Sequence, residues 1–171
     1  SQPPYRPTAL RPFLYPAFIT GIYTLVGERN RVVVFVQNFF HIASAFLLFL
    51  IIRRLVNKKV ALIVALFYAL SPALLLYHQF LISEGLFIFL MLLGLWGIVE
   101  YNTSGLLRFL VVAVVGWGLA CHVRSVGIFL LLFLLITVSC ISWKQGLKRL
   151  ILLLGMSVSI FFLVLSPWIV R

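Results

Sequence analysis

Long apolar runs separated by short polar links recur along the whole chain. Runs at residues 32–52, 60–80, 83–101, 106–121, 126–142 and 150–170 approach or reach the roughly 20 residues needed to cross about 30 Å of hydrocarbon at 1.5 Å per residue. The fourth is the shortest. Ahead of them, Phe18, Ile19, Ile22, Leu25 and Val26 follow helical spacing between Pro16, suited to a first helical position, and Gly27, suited to a helix end. That segment reaches only about 17 Å, so it predicts an amphipathic helix lying at the interface. The expected fold is all-α: a polytopic transmembrane bundle of about six spans behind a short interfacial helix. Residues 1–31 form an outer-face loop with that helix, and residues 32–171 form the bundle.

Polar positions inside the runs sharpen this picture. Gln37, Asn38, His41 and Ser44 recur at spacings of three and four, hence on one helical face. In lipid such a stripe should face the bundle or a water-filled cavity. His41 is read as a hydrogen-bonded interior histidine. Small residues at Gly94 and Gly97, Gly116 and Gly118, and Gly155 and Ser159 predict close helix packing. If residues 106–142 turn near 122–125, Cys121 and Cys140 end up about 20 Å apart and cannot pair, so both are read as packing residues.

Composition agrees: 64% of the 171 residues are hydrophobic and 10% are charged, a balance that excludes a soluble domain. The net charge of +11, with no Asp and only Glu28, Glu84 and Glu100, would elsewhere suggest a nucleic-acid partner. Here the cations lie in inter-helix loops, so they report topology. Arg53, Arg54, Lys58, Lys59, Arg108, Lys144, Lys148 and Arg149 occupy one set of loops, against Arg124 alone in turns 78–84 and 122–125. The first set is expected in the cytoplasm. Arg6, Arg11, Arg29, Arg31 and Arg171 then lie outside against the rule, which anion binding would explain.

Glu84, in the stretch Tyr77-His78-Gln79-Phe80-Leu81-Ile82-Ser83-Glu84-Gly85, stands between two apolar runs without a nearby basic run. An ionisable group at membrane depth is a functional candidate, whereas in a turn at the bilayer surface it is merely solvated. The topology collects Arg11, Tyr15, His78, Glu84, His122 and Arg124 on the outer face. Arg suits phosphate through its planar fork. Two His and one Glu could hold a divalent cation, but no ligand-spacing motif accompanies them, and no metal site is expected. No catalytic triad, P-loop, dinucleotide fingerprint or cysteine zinc motif is present.

Taken in order, Arg11-Pro12-Phe13-Leu14-Tyr15-Pro16, then Ser71-Pro72-Ala73-Leu74-Leu75-Leu76 with Ser83-Glu84-Gly85-Leu86, Val123-Arg124-Ser125-Val126-Gly127 and Ser166-Pro167-Trp168 resemble integral-membrane glycosyltransferases of the GT-C type. The nearest group is the bacterial protein-mannosyltransferases and aminoarabinose transferases. The resemblance implies transfer of a sugar from a polyprenyl-phosphate donor substrate to a glycolipid, glycan or protein acceptor, with no cofactor required and a divalent cation left open. It places the active face on the non-cytoplasmic side of a bacterial inner membrane, with membrane lipids and no nucleic acid as partners. Glu84 matches the family's second acidic position, and Arg124 its R-P-x-G-like turn near the donor phosphate, with Ser125 where Pro is usual. Arg11 and Tyr15 match the interfacial segment near the donor. His78 and His122 remain further candidates without a matching position. The family's principal acidic base precedes the Arg11 segment, so this chain is expected to be a fragment that lacks it and is inactive alone. Readings from other classes are a transporter or flippase for a lipid-linked or anionic solute, and a non-catalytic membrane scaffold.

Overall fold

The computed structural model describes residues 12–72, 80–143 and 146–169. All regular structure among them is helical: α1 (Leu14–Val26), α2 (Asn30–Leu55), α3 (Lys58–Ala69), α4 (Glu84–Ser104), α5 (Leu107–Val123), a 3₁₀ turn (Ser125–Ile128), α6 (Phe129–Ser142) and α7 (Leu147–Ile169). The chain is an all-α membrane bundle. Asn30–Leu55, Glu84–Ser104, Ser125–Ser142 and Leu147–Pro167 are long and apolar enough to cross a membrane, while Leu14–Val26 and Leu107–Val123 are shorter apolar helices. The expected span 60–80 is described only through Pro72. Its helix α3 stops at Ala69 because Pro72 lacks an N–H and disfavours helical geometry at Ser71.

Helix α2 is built inside out relative to a soluble helix. Gln37 and His41 are 1% and 3% exposed and Ser44 is fully buried, whereas Phe35 and Phe39 are 74% and 63% exposed, with Ile42 and Phe46 continuing their stripe. Water would favour the opposite arrangement. In lipid, apolar side chains face outward at no cost and polar ones seek partners in the bundle. The polar stripe thus faces inward, where the His41 ring lies 3.2 Å from the Ala69 carbonyl and stacks on Tyr68 at 4.9 Å.

Helices α4 and α5 form an antiparallel hairpin, and α5 is the buried axis of the bundle. Gly97 explains their close approach. A Cβ there would lie 2.7 Å from the Phe109 carbonyl oxygen and 2.8 Å from the Ala113 nitrogen, both backbone atoms. One turn along, Trp117 fills the space over Gly94 and donates its indole N–H to the Met91 carbonyl at 3.0 Å. Gly116 and Gly118 likewise sit against α4 and α7. Gly155 faces open space, so it makes none of the close approach expected of it. Cys121 is buried, Cys140 is exposed, and both are free thiols.

Helix α1 docks on this frame through Tyr15 and Phe18. Phe18 meets Phe40 of α2 at 5.7 Å, and Phe40 meets Phe89 of α4 at 5.2 Å. Pro16 is the third helical residue rather than the first. It is tolerated there because the first intrahelical bond runs from the Ala17 N–H to the Phe13 carbonyl, leaving position 16 without need of a donor. Gly27 ends α1 with φ 79°, a conformation other residues rarely adopt.

Candidate functional site

The site is assembled where α5 stops and α4 starts. At Arg124 the chain leaves the helix for an extended conformation (φ −144°, ψ 131°) and then folds back as the 3₁₀ turn. Gly127 allows the fold-back: a Cβ there would sit 2.9 Å from the Cys121 Cα and nitrogen and 3.0 Å from the Ala120 carbonyl carbon. With the turn pressed onto the end of α5, the Arg124 side chain reaches the first residue of α4, which is Glu84. A carboxylate in the first turn of a helix is favoured by the unsatisfied N–H groups and the dipole.

Arg124 Nη1 donates to Glu84 Oε1, and both side chains are 41% exposed. An ion pair this solvated contributes little stability. The pair opens on a concavity of about 300 Å³ lined by Pro12, Ser83, Glu84, Val123, Arg124, Ser125 and Val126. This volume is at the small end of ligand sites. A guanidinium has five donors, so one bond to Glu84 leaves others for an anion.

Tyr15 does not line this concavity. Its phenol oxygen accepts a hydrogen bond from Gln37 Nε2 at 2.9 Å, and the same nitrogen donates to the Ile82 carbonyl at 2.9 Å. Burial pushes the Tyr15 phenol up to about 12, opposed by the Gln37 hydrogen bond and assisted by the negative charge of Glu84. Tyr15 is therefore a neutral phenol electrostatically linked to Glu84. His122 is buried, with Nε2 2.7 Å from the Val164 carbonyl of α7 and its ring 4.9 Å from that of Phe13. It joins α5 to α7 and lies outside the lining. Arg11 and His78 fall outside the described residues. Among the described residues no three His, Cys, Asp or Glu side chains come together as a metal site.

Two features escaped the sequence reading. Gln37 appeared only as one member of a stripe, although it is the residue that ties α1 and α2 to the link before Glu84. Glu100 enters the sequence reading only as one of three carboxylates, yet it is buried at the other end of the bundle and holds Arg54 through Nε–Oε1 (2.9 Å) and Nη2–Oε2 (3.1 Å). Loop counting places Arg54 at that end, and Glu100 lies near the end of the run that leads to Arg108 of the same set, which was the available signal. Charge is thus sorted to both ends: a carboxylate tied to the basic loops at one, and the Glu84–Arg124 concavity at the other.

No curated protein and no solved structure matches the chain. A sequence model for dolichyl-phosphate-mannose-protein mannosyltransferases matches residues 10–170, almost its whole length. That match takes in the Arg124–Gly127 turn, the Glu84 position and the apolar helices that carry them, and the chain belongs to the dolichyl-phosphate-mannose-protein mannosyltransferase family of GT-C-type membrane glycosyltransferases.

Proposed function

We propose that this chain carries the donor-phosphate side of a glycosyltransferase site, which moves a sugar from a polyprenyl-phosphate donor to an acceptor on the non-cytoplasmic face of the membrane. The observation that carries the reading is the pairing of Glu84 with Arg124 over a small concavity, at the end of the bundle away from Arg54 and Glu100. In the reaction the bond from the sugar's anomeric carbon to the phosphate oxygen breaks and a bond to the acceptor oxygen forms. The acceptor's proton passes to a separate carboxylate base, and the polyprenyl phosphate leaves with the electron pair. Arg124 neutralises the charge that builds on the departing phosphate, while Glu84 holds the guanidinium in place. The remainder of the catalysis is positioning of donor and acceptor.

The test is Arg124→Ala and Arg124→Lys in the complete protein, reconstituted with a panel of polyprenyl-phosphate sugars. A lost charge-assisted hydrogen bond is worth about 1.5–3 kcal/mol, so kcat/KM for the donor should fall about ten- to a hundredfold in Arg124→Ala and less in Arg124→Lys. Unchanged donor use by Arg124→Ala would refute the phosphate role.

A further inference from the structure

We infer that Gln37 is a positioning residue: it fixes the link that carries Glu84 and thereby sets where the Glu84–Arg124 pair stands. The inference rests on the donor-site reading above and adds a residue to it. Gln37 lies about 10 Å below the start of α2 at 1.5 Å per residue and is 1% exposed. Both of its donor contacts leave its own helix. One goes to the Tyr15 phenol on α1, the other to the Ile82 carbonyl, two residues before Glu84.

Among the described residues Ser83, at the N-cap of α4, makes no side-chain capping bond, and the Ile82 N–H bonds to Phe80 within the link itself. Gln37 therefore supplies the link with an anchor from another helix. Packing alone does not explain the amide. Its Oε1 is buried and has no hydrogen-bond partner among the described residues. An apolar side chain of the same size would avoid that desolvation. A buried amide with an unsatisfied oxygen makes sense where its two N–H bonds fix a geometry, and what they fix is the approach of α1 and of the Glu84 turn to α2.

The experiment compares Gln37→Met, which keeps the size and removes the donors, with Asn38→Ala, its half-buried neighbour on α2, in the complete protein. Hydrogen exchange over residues 80–87 should quicken in Gln37→Met and stay at the wild-type rate in Asn38→Ala. Should Gln37→Met fail to fold, Gln37→Asn keeps an amide too short to reach Ile82 and is expected to give the same local result. In transfer assays kcat should fall about ten- to a hundredfold, the scale of misplacing a reacting group by about 1 Å. The donor KM should change far less, and the loss should shrink to about twofold in a Glu84→Gln background, as coupled residues require. Unchanged exchange over 80–87, or exchange raised evenly along α2 and α4, overturns the inference, as does a kinetic loss that multiplies with that of Glu84→Gln. If the wild type transfers no sugar, the glycosyltransferase reading fails while the exchange measurement still decides the role of Gln37.

Discussion

Gly97→Ala and Gly155→Ala make the same chemical change in two helices of one bundle and should have opposite signs. Each gains the intrinsic helix preference of Ala over Gly, about 1 kcal/mol. At Gly155 none of the described residues lies within 4 Å of the added methyl, so that gain is realised. At Gly97 the methyl meets the Phe109 carbonyl oxygen at 2.7 Å and the Ala113 nitrogen at 2.8 Å, and neither can rotate away because both belong to the α5 backbone. The hairpin must open by several tenths of an ångström. A gap of 0.5–1 Å forfeits about a quarter to a half of each dispersion contact it crosses, and overpacking of this kind costs about 1–3 kcal/mol. Because the propensity term is common to both variants, their difference isolates the steric term. At about 2–4 °C per kcal/mol for a protein of this size, Gly97→Ala should melt about 2–12 °C below Gly155→Ala. Thermal unfolding in detergent, followed by tryptophan fluorescence at a fixed scan rate, measures it. Equal stabilisation by both substitutions would refute the close-packed hairpin.

Two further outcomes follow from the site. The Tyr15 phenol, raised from an ordinary value near 10 to about 12, contributes stability that is fully present below pH 10 and is lost as the pH climbs through 12; the difference in phenolate absorbance between wild type and Tyr15→Phe should appear only near pH 12, and a midpoint near 10 would contradict the burial. Topology is read by a membrane-impermeant maleimide in cells whose protein has Cys121 and Cys140 changed to Ala: Ser125→Cys should label from outside and Asn102→Cys only after permeabilisation, and the reverse pattern would invert the sidedness on which the acceptor face rests.

Much of this architecture was legible in the sequence because lipid makes strict demands. A run of apolar residues must be a helix where no water can satisfy the backbone, so α2, α4, α6 and α7 followed from run length alone. The inward stripe of α2 followed from spacing. A helix end was legible where the chemistry is local, as at Gly27, whereas the helix that begins at Glu84 runs on past the expected 101 to Ser104 and closes on Gly105 with φ 69°. The pairing of Glu84 with Arg124 depends on a contact forty residues apart, and sidedness brought the two to one face without making them touch. What joins them is Gly127, whose missing side chain lets the turn lie on α5; periodicity carries no trace of that. Gly155 shows the reverse error, since a small residue in an apolar run is as compatible with a lipid-facing surface as with a helix seam.

The same contrast explains why the two carboxylates of the bundle serve different ends. Glu100 is buried, and Arg54 meets it with two parallel bonds, so its charge is neutralised in place and the α2–α4 contact is fixed at that end. Glu84 makes one bond to Arg124 and its carboxylate side chain is 41% exposed against 11% for Glu100, while the two guanidinium side chains are alike at 41% and 45%. An arrangement meant only to hold helices together would look like the first pair, with a buried carboxylate gripped by two bonds, because a single contact to an exposed carboxylate adds little stability. A cation kept in place but with donors to spare is what an anionic ligand needs. The buried amide of Gln37, whose oxygen finds no partner among the described residues, then has a reason to be there: it holds the open pair still.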